Sequence, residues 1–254
     1  MIIYKAHGIT IGEEWFNLPQ GKLPSCLDIL QAVQMETIPS NIRELFQFYT
    51  TIIDLTQVEP ILIGACNETT RYEIKHANLE NNLLYKHDDS IAELEKFALF
   101  YDKFAKSKNL LPINISRLKA YLETGHLLLT SCLSQKTNTP IVYHAYYYDQ
   151  GRARLLNSAS FYRETMDKLE RKQIGMANRW LHWQDILYLK EQGTNIYDFG
   201  GWYNGKTDEE KIRINQFKQG FGGTIIKGYN YQQGLTIKGK LYLAIKKIYD
   251  FIRH

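Results

Sequence analysis

The run Arg171-Lys-Gln-Ile-Gly-Met-Ala-Asn-Arg-Trp carries one small residue, Gly175, and then another, Ala177, ahead of a stretch with helical spacing. It reads as a loop opening straight into a helix over 178–192, which Gly193 ends. In such a loop backbone N–H groups converge on a phosphate. Gly175 permits close approach, and the positive end of the following helix dipole favours an anion. Lys172, Gln173, Ile174, Gly175, Met176, Ala177 and Asn178 form the candidate cofactor cradle, with Arg171 and Lys172 adding mobile charge. A glycine before a helix also arises for structural reasons alone, so its weight depends on the neighbouring elements.

Upstream, 126–134 and 140–148 are rich in β-branched, leucine and tyrosine residues, and Asp149-Gln-Gly-Arg reads as a hairpin turn before 153–161. The pattern predicts a three-stranded antiparallel meander. Downstream, 195–199 reads as an apolar strand, and strand, helix and strand in that order predict a parallel pair joined by a crossover. A helix over 208–220 and a strand over 224–231 follow. Before the meander, Ile91, Leu94, Phe97, Ala98, Tyr101, Phe104 and Ala105 keep the three-and-four spacing of an amphipathic helix. A shorter helix runs from Ser116 to a stop at Gly125, another starts at Thr69 with a threonine cap, and 41–51 has helical character.

Meander, phosphate-type loop, helix, parallel strand and second helix is an order that resembles the GNAT fold, in which two parallel strands splay to admit a thioester. Lys172-Gln-Ile-Gly-Met-Ala is similar to that family's cofactor pattern, with Lys172 where Gln or Arg is usual. Tyr197-Asp-Phe-Gly-Gly-Trp and Ile214-Asn-Gln-Phe-Lys-Gln-Gly-Phe-Gly-Gly resemble the paired motifs of the FemAB-type transferases, and Thr70-Arg-Tyr-Glu-Ile-Lys-His-Ala resembles their Arg-containing helix. The resemblance covers roughly residues 54–231 and implies an α/β (α+β) GNAT-like fold: a mixed, mostly antiparallel sheet with splayed parallel strands, flanked by helices. Residues 1–110 are expected as a partial GNAT-like or helical lead-in and 111–254 as the transferase domain.

The implied activity is transfer of an acyl group, acetyl first, from acetyl-CoA or another acyl-CoA to an amine on a small molecule, glycan, peptide or cell-envelope precursor. Aminoacyl transfer from charged tRNA is the alternative, and a non-catalytic GNAT-like binding module the third reading. The sequence shows no basic coiled-coil arm for tRNA. Amide formation needs a stabilised oxyanion and managed protons. Asp198 either orients or deprotonates the acceptor or caps the turn at Gly200 and Gly201. The resemblance suggests Lys218 for the oxyanion; a solvated helix lysine is the other reading. His144 is either a general base or a satisfied strand residue, and Tyr203 is the candidate to protonate the leaving thiolate. Arg71 and Tyr72, with Gly200, Gly201 and Trp202, are the candidate acceptor contacts. Trp180 and Trp183, three apart, are expected in the core.

Of the 254 residues, 44% are hydrophobic and 23% charged, values that exclude a disordered chain. A net charge of +4 suits an anionic ligand without requiring nucleic acid. Cys26, Cys66 and Cys132 lack metal-type spacing and read as reduced, partly buried thiols. No resident metal is expected. With no apolar run of about 20 residues and no signal-peptide layout, the expected location is cytoplasmic. The stretch 237–254 places Ile237, Leu241, Ala244, Ile245, Ile248 and Ile252 on one helical face, which is expected to pack on the body; peripheral contact with an anionic membrane is the alternative.

Overall fold

A computed structural model describes residues 1–17, 21–37, 45–149, 151–161, 165 and 167–253. Ten strands form one mixed sheet: β1 (Ile2–Ala6), β2 (Ile9–Trp15), β3 (Ile29–Met35), β4 (Phe46–Asp54), β5 (Leu83–His87), β6 (Leu127–Ser134), β7 (Pro140–Asp149), β8 (Arg152–Ser160), β9 (Ile196–Gly201) and β10 (Thr224–Gly234). Their spatial order is β1-β2-β3-β10-β4-β9-β8-β7-β6-β5. The sheet is continuous across residue 110, because β4 pairs directly with β9. Among the described residues only β2–β3 and β8–β9 run parallel.

The helices are α1 (Glu59–Ala65), α2 (Glu68–Asn81), α3 (Ile91–Ser107), α4 (Ile115–Glu123), α5 (Lys168–Glu191), α6 (Glu209–Gln219) and α7 (Ile237–Arg253). Ser90 caps α3 through the Glu93 N–H, and Gly125, at φ 72°, ends the α4 segment. The meander forms as β6-β7-β8, and α5 is the crossover between the parallel strands. Alternation along the strands sorts the core onto two faces. Leu128, Tyr146, Leu155, Tyr197 and Phe199 pack with Trp183 and Ile186 of α5. Leu127, Leu129, Tyr143 and Tyr147 pack with Phe97 of α3 and Tyr121 of α4. Each such side chain contributes about 1.5–3 kcal/mol of burial free energy.

Four expectations change. Residues 171–177 form no loop: they lie inside α5, whose N-cap is Asp167, so their N–H groups are committed to the helix. Ile174, Met176 and Ala177 continue the apolar face of Trp180 and Leu181 into the core, and a single glycine does not outweigh that face. Of the helix expected at 41–51, residues 41–44 lie outside the described residues. From Phe46 on the stretch belongs to β4, where Phe48, Tyr49, Thr51, Ile52 and Ile53 suit a central strand. The α2 cap is Asn67, whose side chain accepts from the Thr70 N–H at 2.8 Å, rather than Thr69. Finally, the apolar face of α7 points away from the body: Ile237 is 87% exposed and Leu241, Ile245 and Ile248 are exposed too.

Candidate active site at the strand fork

β8 and β9 pair at only three positions, Arg152 with Ile196, Ala153 with Tyr197 and Arg154 with Asp198. Beyond them β8 stays with β7 while β9 continues along β4, so the two parallel strands part. Gly200 sits just past the parting with φ 72°; a Cβ there would stand 2.9 Å from the Leu155 carbonyl and 3.3 Å from Arg154 Nη2. Only glycine fits that combination of left-handed backbone and close approach.

Two cations meet at this glycine. From α6, the buried Lys218 donates through Nζ to the carbonyls of Gly200, at 3.2 Å, and of Gly201. Burial, helped by the nearby Arg154 charge and opposed by Asp198, pushes the Lys218 ammonium down to about 8. From β8, Arg154 lies over the rings of Trp15 and Phe48. Its Nε is buried without an acceptor, and no described carboxylate pairs with it. Burial lowers its pKa too, against the pull of Asp198.

The carboxylates beside them are already engaged. Asp198 accepts from Arg152 Nε at 3.0 Å and Nη2 at 2.5 Å, from Gln34 at 3.2 Å, from the Gly200 N–H at 2.7 Å and from the Thr50 hydroxyl. With five donors on two oxygens it pins β8, β9, β4 and β3 together, and the turn-capping alternative describes it better than a base. Glu13, fully buried, takes both Arg117 contacts, at 3.0 and 3.1 Å, and also accepts from Trp15, Gln31 and Tyr121. Arg117, Arg152, Arg154 and Lys218 thus face only Asp198 and Glu13 among these groups, leaving the fork electropositive.

A cleft of about 380 Å³ opens beside β8, lined by Arg117, Arg154, Leu156 and Asn157 and by the 110–114 segment ahead of α4. Arg154 therefore belongs both to the cleft and to the fork. This arrangement can hold an anionic or strongly polarised group: one guanidinium without a counter-ion among the described residues, one ammonium of lowered pKa, and an adjoining space for a ligand.

The other expected site residues lie elsewhere. His144 is fully buried beneath α5, with Nδ1 2.7 Å from Asp185 and Nε2 3.0 Å from Asn178. Tyr146, Tyr197 and His182 complete that network, and burial holds the His182 imidazole well below its ordinary pKa. The network joins α5 to the sheet and offers no route to a substrate, so His144 is not placed to act as general base. Asn178 serves this network, whereas Lys172 is exposed on the first half of α5. Tyr203 turns its hydroxyl to Thr207, 3.4 Å away, a contact that lowers its pKa; Asn215 holds its backbone at both N–H and carbonyl. Trp202 donates its N–H to the Tyr49 carbonyl. Arg71 closes the end of α1 through the carbonyls of Gly64 and Cys66, and the exposed Tyr72 stacks on His76. Sequence reading missed Arg152, Arg154, Arg117, Thr50 and Gln34. The signal for the first two was the spacing Arg152-Ala-Arg154, which puts two cations on one face of a strand.

No family model and no curated protein matches the sequence. Solved structures do match in fold. FemX is 14% identical with a TM-score of 0.57, over 78% of this chain and 63% of FemX. The C-terminal DUF2156 domain described as that of a lysylphosphatidylglycerol synthetase from Agrobacterium fabrum is 11% identical, TM-score 0.55, over 88% of this chain and 73% of its own. A conserved protein of unknown function from Bacteroides thetaiotaomicron is 9% identical, TM-score 0.52, over 80% and 68%. This chain spans less than two thirds of the length of FemX. Its sheet and its parted parallel strands share the fold of these neighbours, the GNAT-like fold expected from the sequence.

Proposed function

We propose that the fork is the transfer site of an acyltransferase that joins an activated acyl group to an amine. The observation that carries this reading is the convergence on Gly200, where β8 and β9 part, of Lys218 and of Arg154, which has no carboxylate partner among the described residues. The amine nitrogen attacks the acyl carbon, a C–N bond forms, and the carbonyl oxygen takes on negative charge. Arg154 and the Lys218 ammonium stabilise that charge. The oxyanion then collapses, the bond to the leaving oxygen or sulfur breaks, and the proton lost by the amine goes to the leaving group. Asp198 acts through position: by holding Arg152, Thr50 and the Gly200 N–H it sets the shape of the fork.

For the donor, the geometry favours an aminoacyl ester, as on charged tRNA, over acyl-CoA. The cradle expected for a coenzyme diphosphate is a stretch of α5, and the start of that helix carries Asp167 as its cap and Glu170 in its first turn. Asp167 already accepts the Leu169 N–H there, at 2.8 Å, so one of the N–H donors that a diphosphate would use is taken. The acceptor is an amine on a small molecule, glycan, peptide or lipid headgroup.

The test supplies the protein with tRNA charged with radiolabelled amino acids, or with labelled acetyl-CoA, against a panel of amines. Transfer from charged tRNA that disappears in Lys218→Met supports the reading. Transfer from acetyl-CoA alone would replace the donor, and no transfer from either would leave a binding module.

A further inference from the structure

The C-terminal helix α7 presents its apolar face to solvent. Ile237, Leu241, Ile245 and Ile248 are 87, 61, 58 and 61% exposed, and their four-and-three spacing lines them up as one stripe. The helix is nevertheless firmly seated by its other side. Thr236 caps it by accepting from the Gly239 N–H at 3.0 Å, and the Thr236 hydroxyl donates to Asp28 at 2.7 Å. Gly239 packs so closely on β3 that a Cβ would stand 2.0 Å from the Asp28 carbonyl. Tyr242 and Leu243 are partly buried against the core. At 100° per residue these docked positions fall nearly opposite the stripe, so the stripe is held outward by the fold.

Charge identifies the occupant. The segment Ile237–Arg253 contains Lys238, Lys240, Lys246, Lys247 and Arg253 against the single acid Asp250. On the helical wheel Lys240 and Lys247 border the stripe on one side and Lys238 on the other. Lysines flanking an apolar stripe can extend to a phosphate layer while the stripe enters the acyl region. A second copy of this chain fits less well, because pairing the two stripes would bring rows of like charge together. We propose that α7 docks this protein, as an interfacial helix, onto a lipid bilayer surface rich in anionic headgroups. The inference is independent of the transfer reaction assigned to the fork.

The experiment is co-sedimentation of the full chain with vesicles of phosphatidylcholine alone and of phosphatidylcholine with phosphatidylglycerol, beside sedimentation velocity without lipid. Binding is expected only to the anionic vesicles, and to weaken with added salt. Leu241→Gln and Ile248→Gln should each reduce it about tenfold, the worth of one large apolar side chain in the bilayer. Lys240→Glu with Lys247→Glu should abolish it. The stripe is exposed, so these substitutions are expected to leave the melting temperature unchanged, and a circular dichroism melt checks that they do. Equal binding to neutral vesicles, no binding to either, or a lipid-free dimer that Leu241→Gln dissociates would each overturn the proposal.

Discussion

Arg154 Nη2 lies 3.3 Å from the point where a Cβ on Gly200 would stand, and the Leu155 carbonyl is closer still, at 2.9 Å. The fork therefore closes around the absence of a side chain. Gly200→Ala must strain a left-handed backbone and displace β8. It is expected to lower stability by roughly 1–3 kcal/mol in a denaturant titration and to reduce transfer activity.

Lys218 gives a prediction in pH. Its pKa falls from 10.5 to about 8 on folding, so between those values the unfolded chain binds the extra proton. Stability must then rise with pH through that window, the burial penalty being complete below pH 8 and relieved above 10.5. Relative to Lys218→Met, the wild type should gain on the order of 2–3 kcal/mol between pH 8 and 10.5 in parallel denaturation curves. Activity should run the opposite way, falling as the ammonium deprotonates near pH 8, and Lys218→Met should lower kcat by about 10²–10³-fold.

Arg154 separates ligand binding from stability. As a half-buried cation with no carboxylate partner among the described residues it contributes little to folding, so Arg154→Met is expected to leave stability unchanged or raise it by about 1 kcal/mol. The same change should cost at least about 100-fold in activity. It should also raise the pKa of Lys218, because the Arg154 charge helps to depress it. That upward shift, read from the pH profile, is something a purely structural arginine would not produce.

The His144–Asp185 pair should behave in the opposite way. Both side chains are fully buried, and Tyr146 also donates to Asp185, at 2.5 Å. Asp185→Ala strands these donors and is expected to lower stability by about 3–5 kcal/mol. The kcat of the protein that remains folded should be unchanged, and comparing denaturation midpoints with turnover per folded molecule checks both halves.

Much of this architecture is legible in the sequence. Ser90 and the spacing that follows it define α3, Gly125 marks the stop before β6, and the β-branched, leucine and tyrosine runs of 126–148 with the turn at Asp149 yield the meander in the right order. The parallel β8–β9 pair follows from element order alone. What misleads is local chemistry that long-range packing overrides. Gly175 looks like a loop residue until Met176, Ala177 and Trp180 are seen in one cluster with Val142 and Leu181. The 46–51 stretch fits two periodicities, and only its partners Thr224–Asn230 and β9 choose the strand. Lys218 stands out in the sequence as a candidate through its motif. Arg154 does not, because the lack of a partner is a three-dimensional property of Trp15, Phe48 and Gly200 brought together.

The place of β10 in the sheet has a consequence for synthesis. It lies between β3 and β4, with Tyr231 opposite Ala32 and Lys227 opposite Tyr49. Those partners are separated by about 180–200 positions, so the contact order is high and loop closure precedes any reward from pairing. While the ribosome is still making the middle of the chain, β3 and β4 each present an open edge that must wait for the last strand. β3 and β4 are thus tied into one cooperative unit only once β10 has been made, and until then each keeps an edge open to pairing with other chains.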